Sequence, residues 1–275
     1  MQMKKIIILV VVSVAFFSSC EMFDNGEDGL TTEEIVEGLK TALEIGADSA
    51  SGSLSVVNGY YHGNEQFVKI PLPEEAENVR TLINTSGLNN VFDLDQQFEN
   101  VVMAVNRAAE EAAKDAAPIF KEAITDLTIS QGWDILNGQV PEATSMSGFK
   151  SEGFDSTAAT QYLKIKTYNP LTDLYAPKIN TALDVDLGLG FSAVDAWGTL
   201  TSSYNNLMSN WAVQVAVTAA NVDMPAAIND DLGEFSTQKA LDGLFYMVGN
   251  EEKKIRKNPF DWAVDIIQKV FGSVM

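Results

Sequence analysis

The sequence predicts an all-α fold: a single helical, bundle-like domain over residues 31–275, behind a signal peptide and a short acidic tether. Apolar residues recur at steps of three and four along most of the chain, which is the spacing of one helix face. Prolines and capping residues punctuate those stretches at helix-like intervals. Alternating β-branched residues occur in one stretch only, 211–233, which reads as a helix or a strand, and no partner strand is evident for it.

In chain order, Lys4 and Lys5 form a positive n-region ahead of Ile6 to Phe17, in which Ser13 is the only polar residue. A bilayer span takes about 20 apolar residues, so residues 1–19 read as a signal peptide. Phe17-Ser18-Ser19-Cys20 looks like a lipobox that ends at the chain's single cysteine. No internal disulfide can form, and Cys20 is best used as an acyl acceptor. Residues 20–30 then form the lipidated cysteine and a flexible acidic tether, with Glu21, Asp24, Glu27 and Asp28 and no basic residue. Met22, in place of the aspartate that resembles an inner-membrane retention signal, points to the outer membrane. The domain would hang from its periplasmic face or on the cell surface.

Thr31 and Glu34 form a capping-box pattern, and Ile35, Leu39, Leu43, Ala47, Ala50 and Leu54 continue at helical spacing, which predicts a helix over 32–55. Pro71 and Pro73 bound a loop, and residues 74–86 read as helix. One long helix is expected from about 90 to 116 on the stripe Val91, Leu94, Phe98, Val101, Val105, Ala108 and Ala112. Pro118 permits a restart through Leu127, and a short helix ends near Gly138. Residues 139–156 look like a loop insertion. Helices then follow at 157–169, 172–184, from Ser192 to about Asn210, and from Ser236 to Lys257. Phe260 to Phe271 closes the chain as an amphipathic helix.

The formal charge is −20, and it becomes −22 once Lys4 and Lys5 leave with the signal peptide. That balance excludes nucleic acid as a partner, because phosphate binding needs clustered Lys and Arg. The expected partners are therefore a membrane, reached through the lipid anchor, and an envelope protein or an apolar small molecule.

Gly38 to Leu43, Ile70-Pro71-Leu72-Pro73, Asn106 to Glu110, Ile135 to Gly138, Thr160 to Leu163, Ala240 to Phe245 and Glu251 to Pro259 occur in that order. This series resembles the bacterial family known as domain of unknown function 4197, over nearly all of residues 35–272. The resemblance implies an exported helical bacterial protein and assigns it no activity. Two departures stand out: Gln131 or Gly132 replaces an acidic residue expected before Ile135, and the stretch 139–156 is longer than the expected connection.

Residues with chemical potential are few. His62 is the only histidine and sits in a Gly- and Tyr-rich loop without an acidic neighbour at helical spacing, so it reads as a solvated loop residue. Asp184, Asp186 and Asp195 fit places one, three and twelve of a calcium loop, but Gly188 and Leu189 occupy places five and six, leaving too few oxygens. Neither a metal site nor a cofactor is expected. Arg107 and Glu111 have the spacing of an i,i+4 pair. Asn106, Arg107, Glu110, Glu252, Arg256 and Asn258 are candidates for one polar cleft between helices, with salt-bridged solvent faces as the plainer account. Tyr60, Tyr61, Trp133, Trp197, Tyr204 and Trp211 either line a pocket or pack the core. Asp155-Ser156-Thr157 resembles an O-glycan acceptor with Ser156 as the modified residue, while Asp155 as a helix cap competes with that reading.

The leading expectation is a non-enzymatic, lipid-anchored envelope protein that binds a partner protein or an apolar ligand in a helical cleft. The alternative is a hydrolase or lyase that uses paired carboxylates, Glu110 or Glu111 with Glu252. Such chemistry needs both carboxyls within about 5–10 Å, facing one pocket.

Overall fold

The computed structural model describes residues 29–61, 68–141, 153–229 and 231–275. The predicted signal peptide, Cys20, His62 and residues 142–152 of the expected insertion lie outside the described residues. The fold is all-α, with no strand among the described residues.

Helix α1 (Thr32–Leu54) starts where its sequence signal places it. The Thr31 hydroxyl accepts from the Glu34 N–H at 3.2 Å, and the Thr31 N–H donates to the Glu34 carboxylate at 3.1 Å. Leu30, assigned to the tether from sequence, is buried, so the packed domain begins one residue earlier. α1 is the central helix. It packs against α5 (Ala116–Asp126), α6 (Gly132–Leu136), α10 (Leu232–Lys257) and α11 (Asp265–Gly272). Glycines at two crossings allow the close approach: a Cβ on Gly46 would lie 2.9 Å from Val248 Cγ1, and one on Gly38 would lie 2.7 Å from Val270 Cγ2.

α2 (Glu74–Ser86) begins after Pro73, which as N-cap needs no N–H of its own in the helix. The single helix expected from 90 to 116 is divided. A short α3 (Asn89–Phe92) ends at Asp93, whose φ of 49° is left-handed, and α4 (Asp95–Ala112) follows. Aspartate tolerates that conformation better than most residues. The break turns Val91 outward while Phe92, Leu94, Phe98, Val101 and Val105 stay buried.

α7 (Ala158–Leu183) corrects the two helices expected at 157–169 and 172–184, since it runs unbroken through Pro170 and Pro177. Each proline removes one N–H donor, from the carbonyls of Lys166 and Asp173 respectively. The prolines are seven residues apart, so they share the outer face, and Lys166 and Asp173 are exposed to water that can take up the bonds. The inner face buries Leu163, Thr167, Leu171, Tyr175 and Ile179 against α4, α5 and α10. That continuous stripe favours an unbroken helix.

α8 (Ala193–Met208) lies on α4 and carries a second capping box, Ser192 with Asp195. The stretch whose β-branched residues also suited a strand forms helix α9 (Trp211–Ala219), capped by Asn210 and inserting only Val213 and Val217 into the core. The residues four apart, not two apart, are the buried ones.

Candidate functional site

The six residues proposed for one polar cleft form two groups on two helices, and those on one helix share no hydrogen-bond partner with those on the other. The first belongs to α4. The buried Asn106 accepts from the Ile70 N–H at 2.9 Å and donates to the Ile70 carbonyl at 2.8 Å, which satisfies both backbone groups of the buried residue before Pro71. Arg107 Nη1 is 2.6 Å from Glu110 Oε2, and Arg107 Nη2 donates to Asn58 Oδ1 at 2.9 Å. The other Glu110 oxygen accepts from the N–H groups of Tyr60 and Tyr61 at 3.2 and 3.3 Å. Arg107 thus pairs at i+3, whereas Glu111 pairs with Lys114 instead of with Arg107.

The second group belongs to α10. Glu252 is 1% exposed. Its carboxylate accepts from Ala159 N at 3.0 Å, Thr160 N at 2.8 Å and the Thr160 hydroxyl at 2.6 Å. These are first-turn N–H groups of α7, whose own N-cap residue Thr157 makes no side-chain cap. Arg256 Nε donates to Glu252 at 2.8 Å, and its two terminal nitrogens donate to the carbonyls of Leu136 and Ile135 at 2.6 and 2.9 Å. An anion therefore closes the positive end of α7 and a cation the negative end of α6. One i,i+4 pair holds both ends of the connection that contains the insertion. Asn258 is the C-cap of α10, with its N–H bonded to the Lys254 carbonyl at 3.0 Å.

The other candidates are dispersed. Asp186 accepts from the N–H groups of Leu189, Gly188 and Gly190 at 2.8, 2.9 and 3.0 Å, and those donors hold its carboxyl below the usual range. Asp195 is engaged with Ser192. Among the described residues, no group of three or more His, Cys, Asp or Glu is placed to hold a metal ion. Tyr60 and Tyr204 are buried, with hydroxyls donating to the carbonyls of Ala240 and Pro225, while Trp211 faces solvent. Ser156 is half-buried beside Asp155, which accepts from both the N–H and the hydroxyl of Thr157 at 2.7 Å.

A cleft of about 520 Å³ lies between α5 and α7. Leu127, Tyr162 and Thr167 form its buried floor, and Pro170 and Leu174 stand at the wall, Leu174 being 52% exposed. Glu122, Asp126 and Lys166 rim it, with Lys166 Nζ 5.5 Å from the Tyr162 ring. A cleft of similar size along α1 is dominated by Glu33, Glu37, Glu44 and Lys40. The smaller one between α7 and α10 contains the Lys164–Asp242 ion pair. Sequence reading missed the α5–α7 cleft, and its one available signal was Pro170 on an otherwise helical stretch.

The family model described as Protein of unknown function (DUF4197) matches residues 29–150 and 152–272. The chain belongs to this family. No curated protein and no solved structure matches it. In this DUF4197 chain, the ordered elements quoted above include both buried groups: Asn106 to Glu110 is the α4 group, and Glu251 to Pro259 contains Glu252 and Arg256. The resemblance therefore tracks residues that fix the backbone.

Proposed function

We propose that this DUF4197 protein is a lipid-anchored envelope protein, tethered through Cys20 to the outer membrane, that binds an apolar small molecule between α5 and α7. The observation that carries the ligand reading is the α5–α7 cleft. Its volume of about 520 Å³ falls within the usual range for small-molecule sites, roughly 300–1,000 Å³. A half-exposed leucine over a buried apolar floor leaves apolar surface to be covered. The rim charges Glu122, Asp126 and Lys166 can orient a polar end.

The carboxylate-enzyme alternative gains no support from the geometry. Glu252 accepts four hydrogen bonds, two on each oxygen, and has no free position for a substrate proton. Glu110, on a different helix, accepts three and is paired with Arg107, with no partner shared between the two carboxyls.

The test is native purification from membranes of the wild type and of Leu174→Glu, followed by mass spectrometry of the N-terminal peptide and of the extracted small molecules. An acylated Cys20, with an apolar compound that Leu174→Glu loses, is the expected result. An unmodified Cys20 refutes the anchor, and an identical extract from both proteins refutes the cleft.

A further inference from the structure

The α8–α9 hairpin differs from the rest of the molecule in charge. No Asp, Glu, Lys or Arg occurs from Ala196 to Val222, in a chain with 38 acidic and 18 basic residues. On α9, Trp211 is 79% exposed and Val215 is 59% exposed, one turn apart on the same face. A scattered exposed apolar residue is ordinary. A tryptophan and a valine stacked on an uncharged helix form a patch that water solvates poorly.

The polar side chains around this patch are turned back onto the hairpin itself. Gln214 Nε2 donates to the Met208 carbonyl at 2.5 Å, Ser209 Oγ to Asn205 at 2.9 Å and Thr218 Oγ1 to Gln214 at 2.8 Å. Asn210 Oδ1 accepts from the Ala212 N–H at 2.9 Å. These four side chains are thereby bonded within the hairpin, which lowers the cost of bringing α9 against an apolar layer.

We propose that α9 is a bilayer-contact element, lying in the surface plane with Trp211 and Val215 inserted into the interfacial layer. Tryptophan suits that layer because its ring is apolar while its N–H remains near water. Charge selects the lipid. Residues 20–275, with a net charge of −22, are repelled by anionic headgroups, so an uncharged tip approaches a zwitterionic surface most easily. A second copy of the chain is a poorer occupant. The nine residues of α9 make a helix about 14 Å long with roughly 150 Å² on its outer side, against about 800 Å² per partner in a stable interface.

No helix among the described residues is long and apolar enough to cross a membrane, so the contact is peripheral. The packed core runs from Leu30 to Phe271, so a chain of residues 20–275 carrying Cys20→Ser keeps the whole fold without an acyl group. Flotation with phosphatidylcholine vesicles, and with vesicles containing phosphatidylglycerol, reads the binding directly. The expected result is flotation with the neutral vesicles and weaker flotation with the anionic ones. Trp211→Glu and Val215→Glu each lower the partition about tenfold or more, with unchanged helix content because both positions face solvent. Brominated acyl chains should quench tryptophan emission in the wild type and much less in Trp211→Phe. Absence of flotation, or flotation insensitive to Trp211→Glu, overturns the proposal. So does Trp211-dependent self-association in light scattering, which would assign the face to a second copy.

Discussion

Glu252 offers the sharpest test of how this fold is held together. In Glu252→Ala, the buried N–H groups of Ala159 and Thr160 lose their acceptor, and Arg256, whose side chain is 5% exposed, loses its counter-charge. An unsatisfied buried N–H costs about 1–3 kcal/mol, and breaking a buried ion pair about 3–5 kcal/mol. These losses share one carboxylate and do not add, so the net is about 4–6 kcal/mol, a large part of a typical stability of about 5–15 kcal/mol.

Glu252→Gln is the more informative variant, because it keeps the volume and one acceptor oxygen. Its amide N–H₂ faces a backbone donor in either orientation, which costs about 2 kcal/mol, or roughly 1 M in urea midpoint at a slope near 2 kcal/mol/M. Urea unfolding followed by far-UV circular dichroism measures this, and a cycle with Arg256→Met isolates the coupling of the pair. A Glu252→Gln midpoint within about 0.2 M of wild type, or no coupling in the cycle, would refute the idea that this pair secures the ends of α6 and α7.

Four further outcomes follow from the packing and the titrating groups. Gly46→Ala forces a methyl against Val248, including its backbone oxygen at 3.2 Å, and should lower stability by about 1–3 kcal/mol in the same assay. Pro170→Ala restores the donor to the Lys166 carbonyl on an exposed helix face; a rise in thermal midpoint is expected, reduced by the greater freedom of the unfolded chain. Asp186 titrates below its ordinary value because of the Leu189 N–H and its neighbours, so its stabilisation is present above the unfolded value and is lost as pH falls through the folded one. Asp186→Asn keeps an acceptor without the charge and should lose less stability than wild type as pH falls below the ordinary aspartate value of 3.8. At the other extreme, burial raises the Tyr60, Tyr175 and Tyr204 hydroxyls, Tyr204 to about 12. Stability should fall as pH rises beyond the ordinary value of 10.0, with phenolate absorbance appearing together with loss of helix signal.

Local signals in the sequence located the elements well where a helix's start and buried face are written within one turn of each other. Thr31 with Glu34 marked the start of α1, and Ile35, Leu39 and Leu43 marked its inner face. Errors came where tertiary contact outweighed a local rule. Pro170 fell at the expected boundary between two helices, yet it sits with Pro177 on the exposed side of one helix whose opposite face is fully buried. The valines of α9 alternate as in a strand, but only Val213 and Val217 meet the core. The break at Asp93 depends on a left-handed conformation that no motif announced.

The polar residues were legible as residues but not as an arrangement. Helical spacing placed Glu252 and Arg256 one turn apart, and that is where they pair. Their other partners, Ala159 and Thr160 on one side and Ile135 and Leu136 on the other, are backbone groups about a hundred positions away, and any side chain would leave those groups available. A sequence pattern can mark a charged pair; only the fold reveals that it is spent on two helix ends. The same reasoning sets the two proposed binding surfaces apart from these groups. Where buried charge is fully satisfied it stabilises structure and has no capacity left for a ligand. Leu174 above the α5–α7 cleft and Trp211 on α9 are the reverse case, apolar side chains held in water by neighbouring packing. Covering either one releases the free energy that the fold leaves unclaimed.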